Sequence, residues 1–153
     1  MIRVLLLTIT IVLLQIGCEE RSKTDVANVH WDRDMCARCV MVVSDRQNTV
    51  QVREPKTGKS YMFDDLGCMV LWFKENNITW QNQAIIWITD LKTGKWIDAK
   101  EAFYDKDNVT PMAYGFSAHK NRESIEKEKD IYSFVEVKSN ILKKEKESKI
   151  VEK

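Results

Sequence analysis

The sequence lacks a long apolar run and an excess of charge of either sign, and these two shortages argue against a membrane-spanning protein and a nucleic-acid-binding protein. Its longest apolar run, residues 4–14, is shorter than the roughly 20 residues that span a bilayer. The formal charge is +1 and the basic residues form no stripe with interleaved aromatics, so we expect no nucleic-acid partner. With 44% hydrophobic residues, the chain still has enough apolar material for one compact domain.

The N-terminal segment has the pattern of an export signal rather than of folded structure. Arg3 precedes the apolar run and the polar Glu19-Glu20-Arg21 follows it, which predicts a signal peptide over residues 1–17. A short buried helix is the alternative, and the charge of Arg3 disfavours it.

Leu14-Gln15-Ile16-Gly17-Cys18 resembles a bacterial lipobox, in which the cysteine is lipidated and becomes the new N-terminus. Gln15 departs from that pattern, where Leu is more common, and an unmodified thiol at Cys18 is the alternative. Acyl chains on Cys18 would hold the protein firmly on a membrane. The resemblance therefore implies a membrane lipoprotein facing the periplasm. Glu19, rather than Asp, favours the outer membrane where the organism has one.

The remaining chain divides by composition into three parts. Residues 18–29 are predicted to be a lipid-anchored polar tether, residues 30–138 the folded domain, and residues 139–153 a charged tail rich in Lys and Glu. The tail is typical of a solvated helix or a frayed end.

Within the domain, periodicity predicts alternating strands and helices. Strands are predicted at residues 39–43, 49–52, 60–63, 84–88, 96–97, 115–119 and 131–137, and helices after Asp64 or Asp65 and over residues 121–129. The first helix places Leu66, Met69 and Phe73 on one buried face and ends at Asn76-Asn77.

Three cysteines follow Cys18, and an odd number cannot form a complete set of disulfides. A free thiol is a liability in an oxidising compartment unless it is buried or metal-bound, which favours a metal role. Cys68 borders the apolar face of the first helix and is interpreted as a buried, inert thiol.

The chemistry concentrates in Cys36-Ala-Arg-Cys39-Val-Met41, which holds two thiols and a thioether within six residues. Soft sulfur ligands select Cu(I), whereas a structural zinc site normally recruits four Cys or His ligands. Haem attachment would need His where Val40 stands. A thiol–disulfide oxidoreductase using Cys36 and Cys39 remains the alternative function, and a structural disulfide between them a third interpretation.

Three segments occur here in the order seen in the NosL family: Cys36-Ala-Arg-Cys39-Val-Met41, Phe63-Asp64-Asp65-Leu66-Gly67-Cys68-Met69 and Thr110-Pro111-Met112-Ala113-Tyr114-Gly115-Phe116. NosL proteins are lipoproteins that deliver copper to nitrous oxide reductase. The resemblance implies a non-enzymatic Cu(I) carrier whose partner is apo nitrous oxide reductase or its assembly machinery. It also implies an α+β fold with small antiparallel sheets, each packed by a helix, in two related strand-helix-strand units similar to organomercurial lyase.

The resemblance also implies a ligand set. The family's Cys-x-Met element falls on Cys39 and Met41, its later Met falls on Met112, and Cys36 precedes the element. Val40 and Ala113 stand where the family often has Gly, although Val and Ala avoid the positive φ values open to Gly. His119 could complete a Cys-Met-His site, with an ordinary surface histidine as the alternative.

Overall fold

The computed structural model describes residues 22–151, and this range forms six strands and two α-helices in two antiparallel sheets. The elements are β1 Val50–Arg53, β2 Ser60–Phe63, α1 Leu66–Glu75, β3 Ile85–Thr89, β4 Trp96–Asp98, β5 Phe103–Asp105, β6 Ser117–His119 and α2 Phe134–Val151. The predicted α+β fold with small antiparallel sheets is therefore confirmed. The predicted signal peptide and Cys18 lie outside the described residues. No helix within residues 22–151 combines the length and the apolar character needed to cross a bilayer.

The larger sheet has the order β2-β1-β3-β4, and its central strand β1 is buried on both faces. Val50 and Val52 are paired with apolar residues of β2 and β3, and both are fully buried. Helix α1 packs on the face that these residues share. The smaller sheet pairs β5 with β6, and α2 contacts both β5 and α1.

The opposite face of β1 carries polar side chains, and an N-terminal stretch of the chain covers them. Gln51 accepts a hydrogen bond from the Ala27 amide at 2.7 Å and donates one to the Ala27 carbonyl at 3.0 Å. Arg53 donates to the carbonyls of Ser22 and Lys23. The buried polar groups of β1 are satisfied in this way. Three residues of the predicted lipid-anchored tether, Ser22, Lys23 and Ala27, are thus hydrogen-bonded to β1.

Helix α1 begins and ends at the polar residues that the sequence predicts as its limits. Asp65, not Asp64, is the N-cap: its backbone is extended and its carboxylate accepts from the Gly67 amide at 2.7 Å. Asn76 is the C-cap, and Asn77 follows with a φ of 50°. All residues from Leu66 to Phe73 are buried, because the sheet lies on one side of the helix and α2 on another.

Several predicted elements are wrong. Residues 39–43 form no strand beyond an isolated Met35–Val42 bridge, and the predicted helix at 121–129 is a single 3₁₀ turn, Arg122–Ser124. The predicted strand at 131–137 is mostly the start of α2, and β5 had no prediction.

The sequence predicts a strand at the start of α2 because Val135 and Val137 are β-branched, and such residues favour strands. Val137 and Ile141 are instead buried on one side of a helix. The proposed boundary between domain and tail, at residues 138 and 139, falls inside α2. In the second half of the chain, β5 and β6 precede the long helix α2.

Candidate metal centre

The first two cysteines lie in a tight loop pinned to the end of β2. The Cys36 amide donates to the Met41 carbonyl at 2.8 Å, and the Val40 amide donates to the Cys36 carbonyl at 3.1 Å. The Ala37 amide donates to the Met62 carbonyl at 2.8 Å. These bonds curl residues 36–41 so that Cys36 and Cys39 lie on the same side of the loop.

The loop takes the backbone conformation that Val was expected to avoid. Val40 has a φ of 61°, and Ala113 has a φ of 56° in the loop that follows Met112. Each residue thus keeps the left-handed geometry natural to the Gly that the NosL pattern often has there. For a residue other than Gly this region costs about 1–2 kcal/mol. Such strain persists only where the surrounding contacts impose it, and it often marks functional sites.

Cys68 completes a cluster with the two loop cysteines. It lies in the first turn of α1, and the sulfur atoms of Cys36, Cys39 and Cys68 all lie within 4.8 Å of one another. All three cysteines are free. Cys36 and Cys68 are 1% and 0% exposed, whereas Cys39 is half-buried and offers the route to solvent.

Sequence reasoning placed Cys68 correctly in the interior but missed its part in the cluster. The prediction that it is inert rested on its place beside the apolar face of α1. The odd number of cysteines was the available signal, since it left one thiol to account for. Only the packing of the loop against the start of α1 shows that this thiol is Cys68.

The three sulfurs differ in acidity. The hydrogen bond from the Cys68 thiol lowers the pKa of Cys36; burial opposes this, and backbone amides including those of Cys39 and Asp64 reinforce it. That same bond to Cys36, together with burial, raises the pKa of Cys68. Burial raises the pKa of Cys39. Of the three thiols, Cys36 is therefore the one whose ionised form its surroundings favour most.

A salt bridge forms one wall of the cluster. The Arg38 guanidinium donates to both carboxylate oxygens of Glu75, at 2.9 and 2.8 Å, and thus links the cysteine loop to the end of α1. The hydrogen bonds with Glu75 raise the pKa of Arg38, and the nearby Cys68 sulfur adds to this increase. Arg38 brings a permanent positive charge beside a group of thiols.

The loop that contains Met112 and Tyr114 closes over the start of α1. The carboxylate of Asp65 accepts from the Thr110 hydroxyl at 2.6 Å and from the Met112 amide at 3.1 Å. A Cβ atom on Gly67 would lie 2.1 Å from the Tyr114 ring, so only Gly allows this contact. Met112 itself is half-buried against the core.

The two other predicted ligands lie in different surroundings. Met41 is 47% exposed on the outer side of the loop, as is Met35 beside it. His119 is buried in β6, which contradicts the surface interpretation. Its ring nitrogens meet the Asp105 carboxylate at 3.0 Å and the Ser124 hydroxyl at 3.3 Å. Among residues 22–151, the cluster of metal-binding atoms around Cys36 does not include it.

The donor set suits one soft metal ion. Two sulfurs that bind the same ion at ~2.3 Å lie at most about 4.6 Å apart, so a spacing within 4.8 Å needs little adjustment. In the described part of the chain, no His, Asp or Glu joins the three sulfurs. A structural zinc site would need a fourth such ligand, whereas sulfur alone suits a soft monovalent ion.

No protein-family model matches the sequence, and no match was found among curated proteins. Among solved structures, the chain is similar to the crystal structure of the copper chaperone NosL from Shewanella denitrificans. The two are 12% identical, and the match covers 72% of this chain and 94% of that one with a TM-score of 0.61. The resemblance to NosL, predicted from three short segments, is thus confirmed at the level of the fold.

Proposed function

We propose that this chain binds Cu(I) through Cys36, Cys39 and Cys68 and passes the ion to another protein. The observation that carries the proposal is the group of three free sulfurs within 4.8 Å, placed in a fold like that of a copper chaperone. Cys39 and Cys68, whose pKa values are raised, lose their protons as the ion binds, and the three thiolates then supply the soft ligands that Cu(I) prefers. The charge of Arg38 offsets part of the negative charge that they bring.

Burial of the site on one side only suits a carrier. Cys36 and Cys68 are enclosed and retain the ion, while the half-buried Cys39 exposes it to an incoming ligand. The exposed thioether of Met41 follows Cys39 by two residues and can take a place in the exchange. Transfer then proceeds by replacing one sulfur at a time and needs no catalysis.

The setting of this activity is proposed from the sequence. Export by the signal peptide and lipidation of Cys18 would hold the domain on a membrane, facing the periplasm. The resemblance to NosL supports apo nitrous oxide reductase, or the machinery that assembles it, as the recipient. Met112, which matches the later Met of the NosL pattern, is proposed as an additional ligand during transfer.

Competition between residues 19–153, which are the mature chain without its lipidated Cys18, and a chromophoric Cu(I) chelator under anaerobic conditions tests the proposal. We expect about one Cu(I) per chain, and we expect Cys39→Ala and Cys68→Ala each to lower the affinity at least 100-fold, since even indirect contacts to a metal are worth about 10–100-fold. Val42→Ala, which shortens an exposed side chain of the same loop without removing sulfur, is the control. Unchanged affinity in both cysteine variants would refute the assigned ligands.

Met41→Ala separates binding from delivery. We expect it to slow the transfer of copper to an acceptor chelator more than it weakens binding at equilibrium, because Met41 lies outside the enclosed part of the cluster. Stopped-flow mixing of loaded protein with the chelator measures the rate. Equal transfer rates in Met41→Ala and the parent would remove Met41 from the pathway.

The alternative of thiol–disulfide exchange fits the geometry less well. An attacking thiol must be both accessible and ionised, yet the thiol with the lowered pKa, Cys36, is buried and the accessible Cys39 has a raised pKa. We therefore expect no turnover in an insulin-reduction assay. Metal-independent turnover that needs both cysteines would favour the oxidoreductase.

A further inference from the structure

A cavity of about 390 Å³ opens between α1, β3 and the first turn of α2. Met69, Phe73, Ile86 and Phe134 form its apolar walls, and the first three of these are at most 3% exposed. Its volume lies within the range of small-molecule sites, which are about 300–1,000 Å³.

Two ammonium groups stand at the edge of this apolar space. Lys100 donates to the Ala84 carbonyl at 2.6 Å and to the Asn82 carbonyl at 3.0 Å, and Lys138 donates to the Gln81 side chain at 2.8 Å. Both lysines line the cavity, and no carboxylate does. Within residues 22–151 neither ammonium forms a salt bridge.

Within residues 22–151 the two ammonium groups have carbonyl partners but no carboxylate to balance their charge. Lys138 is half-buried and Lys100 is exposed at the rim, and burial together with the charge of Lys100 lowers the pKa of Lys138. The first turn of α2 also lines the cavity, and the N-terminus of a helix adds partial positive charge. Glu136, the acidic residue of that turn, bonds to Ser133 and does not line the cavity.

We infer that this cavity binds a small amphiphilic carboxylate, with an apolar chain or ring against Met69, Phe73 and Ile86 and a carboxylate between Lys100 and Lys138. The apolar half of such a ligand would contact the cavity walls, and its carboxylate would pair with the two lysines. The site is separate from the cysteine cluster, and the inference does not depend on copper binding.

Octanoate is a suitable probe, tested on the mature chain by titration calorimetry and by amide NMR shifts. We expect saturable binding with shifts centred on Phe73, Ile86 and Val135. Neutral octan-1-ol should bind at least tenfold more weakly, since it lacks the charge. Hexanoate should lose about fourfold in affinity for each methylene removed.

Variants test the two halves of the site separately. Replacing both cavity lysines, Lys100→Gln with Lys138→Gln, should weaken octanoate binding at least tenfold. Lys56→Gln with Lys59→Gln makes the same change of charge on the exposed β1–β2 turn, away from the cavity, and should leave binding unchanged. Val135→Trp should fill the cavity from its exposed rim and abolish binding while the thermal unfolding midpoint is retained.

Three results would overturn the inference. These are no saturable octanoate binding, equal affinity for octan-1-ol, and equal losses in the cavity and control lysine pairs. Thermal unfolding of each variant in the absence of ligand distinguishes loss of the site from loss of the fold.

Discussion

Strain at Val40 can be measured by comparing Ala and Gly substitutions at this position. With a φ of 61° and a side chain that is 66% exposed, Val40 occupies a backbone region that only Gly enters freely. Val40→Ala and Val40→Gly both remove the branched side chain, so the difference between them isolates the backbone.

The magnitude follows from two opposing terms. Ala in the left-handed region costs about 1–2 kcal/mol that Gly does not, while Gly makes the unfolded chain more flexible at a cost of about 0.4–1 kcal/mol. Val40→Gly should therefore be more stable than Val40→Ala by about 0.5–1 kcal/mol, or roughly 1–4 °C in unfolding midpoint for a chain of this size.

Urea unfolding of the reduced, metal-free protein provides the assay, and Val42 provides the matched control. Val42 lies in the same loop and is also exposed, but its φ is not positive. There the order should reverse, with the Ala variant more stable than the Gly variant by about 0.5–1 kcal/mol. If Ala is the more stable variant at both positions, the loop is not strained and the reasoning fails.

Three further predictions concern the surroundings of the site. Gly67→Ala should destabilise the protein by about 1–3 kcal/mol in urea unfolding, although Ala favours helices, because its Cβ would meet the Tyr114 ring. Arg38→Lys should lower Cu(I) affinity about tenfold in the chelator assay, since an ammonium cannot reproduce the two-point contact with Glu75; an unchanged affinity would contradict this. Burial opposes the ionisation of Asp105. The hydrogen bonds that its carboxylate accepts, first among them the one from Lys129, outweigh burial and lower the pKa of Asp105. Its ionised form therefore stabilises the fold above its unfolded pKa, and this contribution is lost as the pH falls below about 4. Asp105→Asn should flatten that acid-induced loss in thermal unfolding, and an equally steep loss in the variant would contradict the assignment.

The first half of the fold was predictable because its signals are local. The turn residues before β2, the N-cap of α1 and the helical spacing of Leu66, Met69 and Phe73 each depend on neighbours a few residues away. The second half was less predictable. The valines at the start of α2 favour a strand by local preference, and contacts with α1 and β5 override that preference.

The sequence by itself determined the type of chemistry: an odd set of thiols beside a thioether favours a soft metal, whatever the fold. It also supplied the three segments that led to the NosL fold. Only the tertiary structure decided which sulfurs meet. Cys68 lies 29 positions beyond Cys39 in the chain, and its sulfur joins Cys36 and Cys39 because the curled loop packs against the first turn of α1. The structure also decided that Val40 adopts a positive φ, since hydrogen bonds of the surrounding loop impose a geometry that the residue alone would avoid.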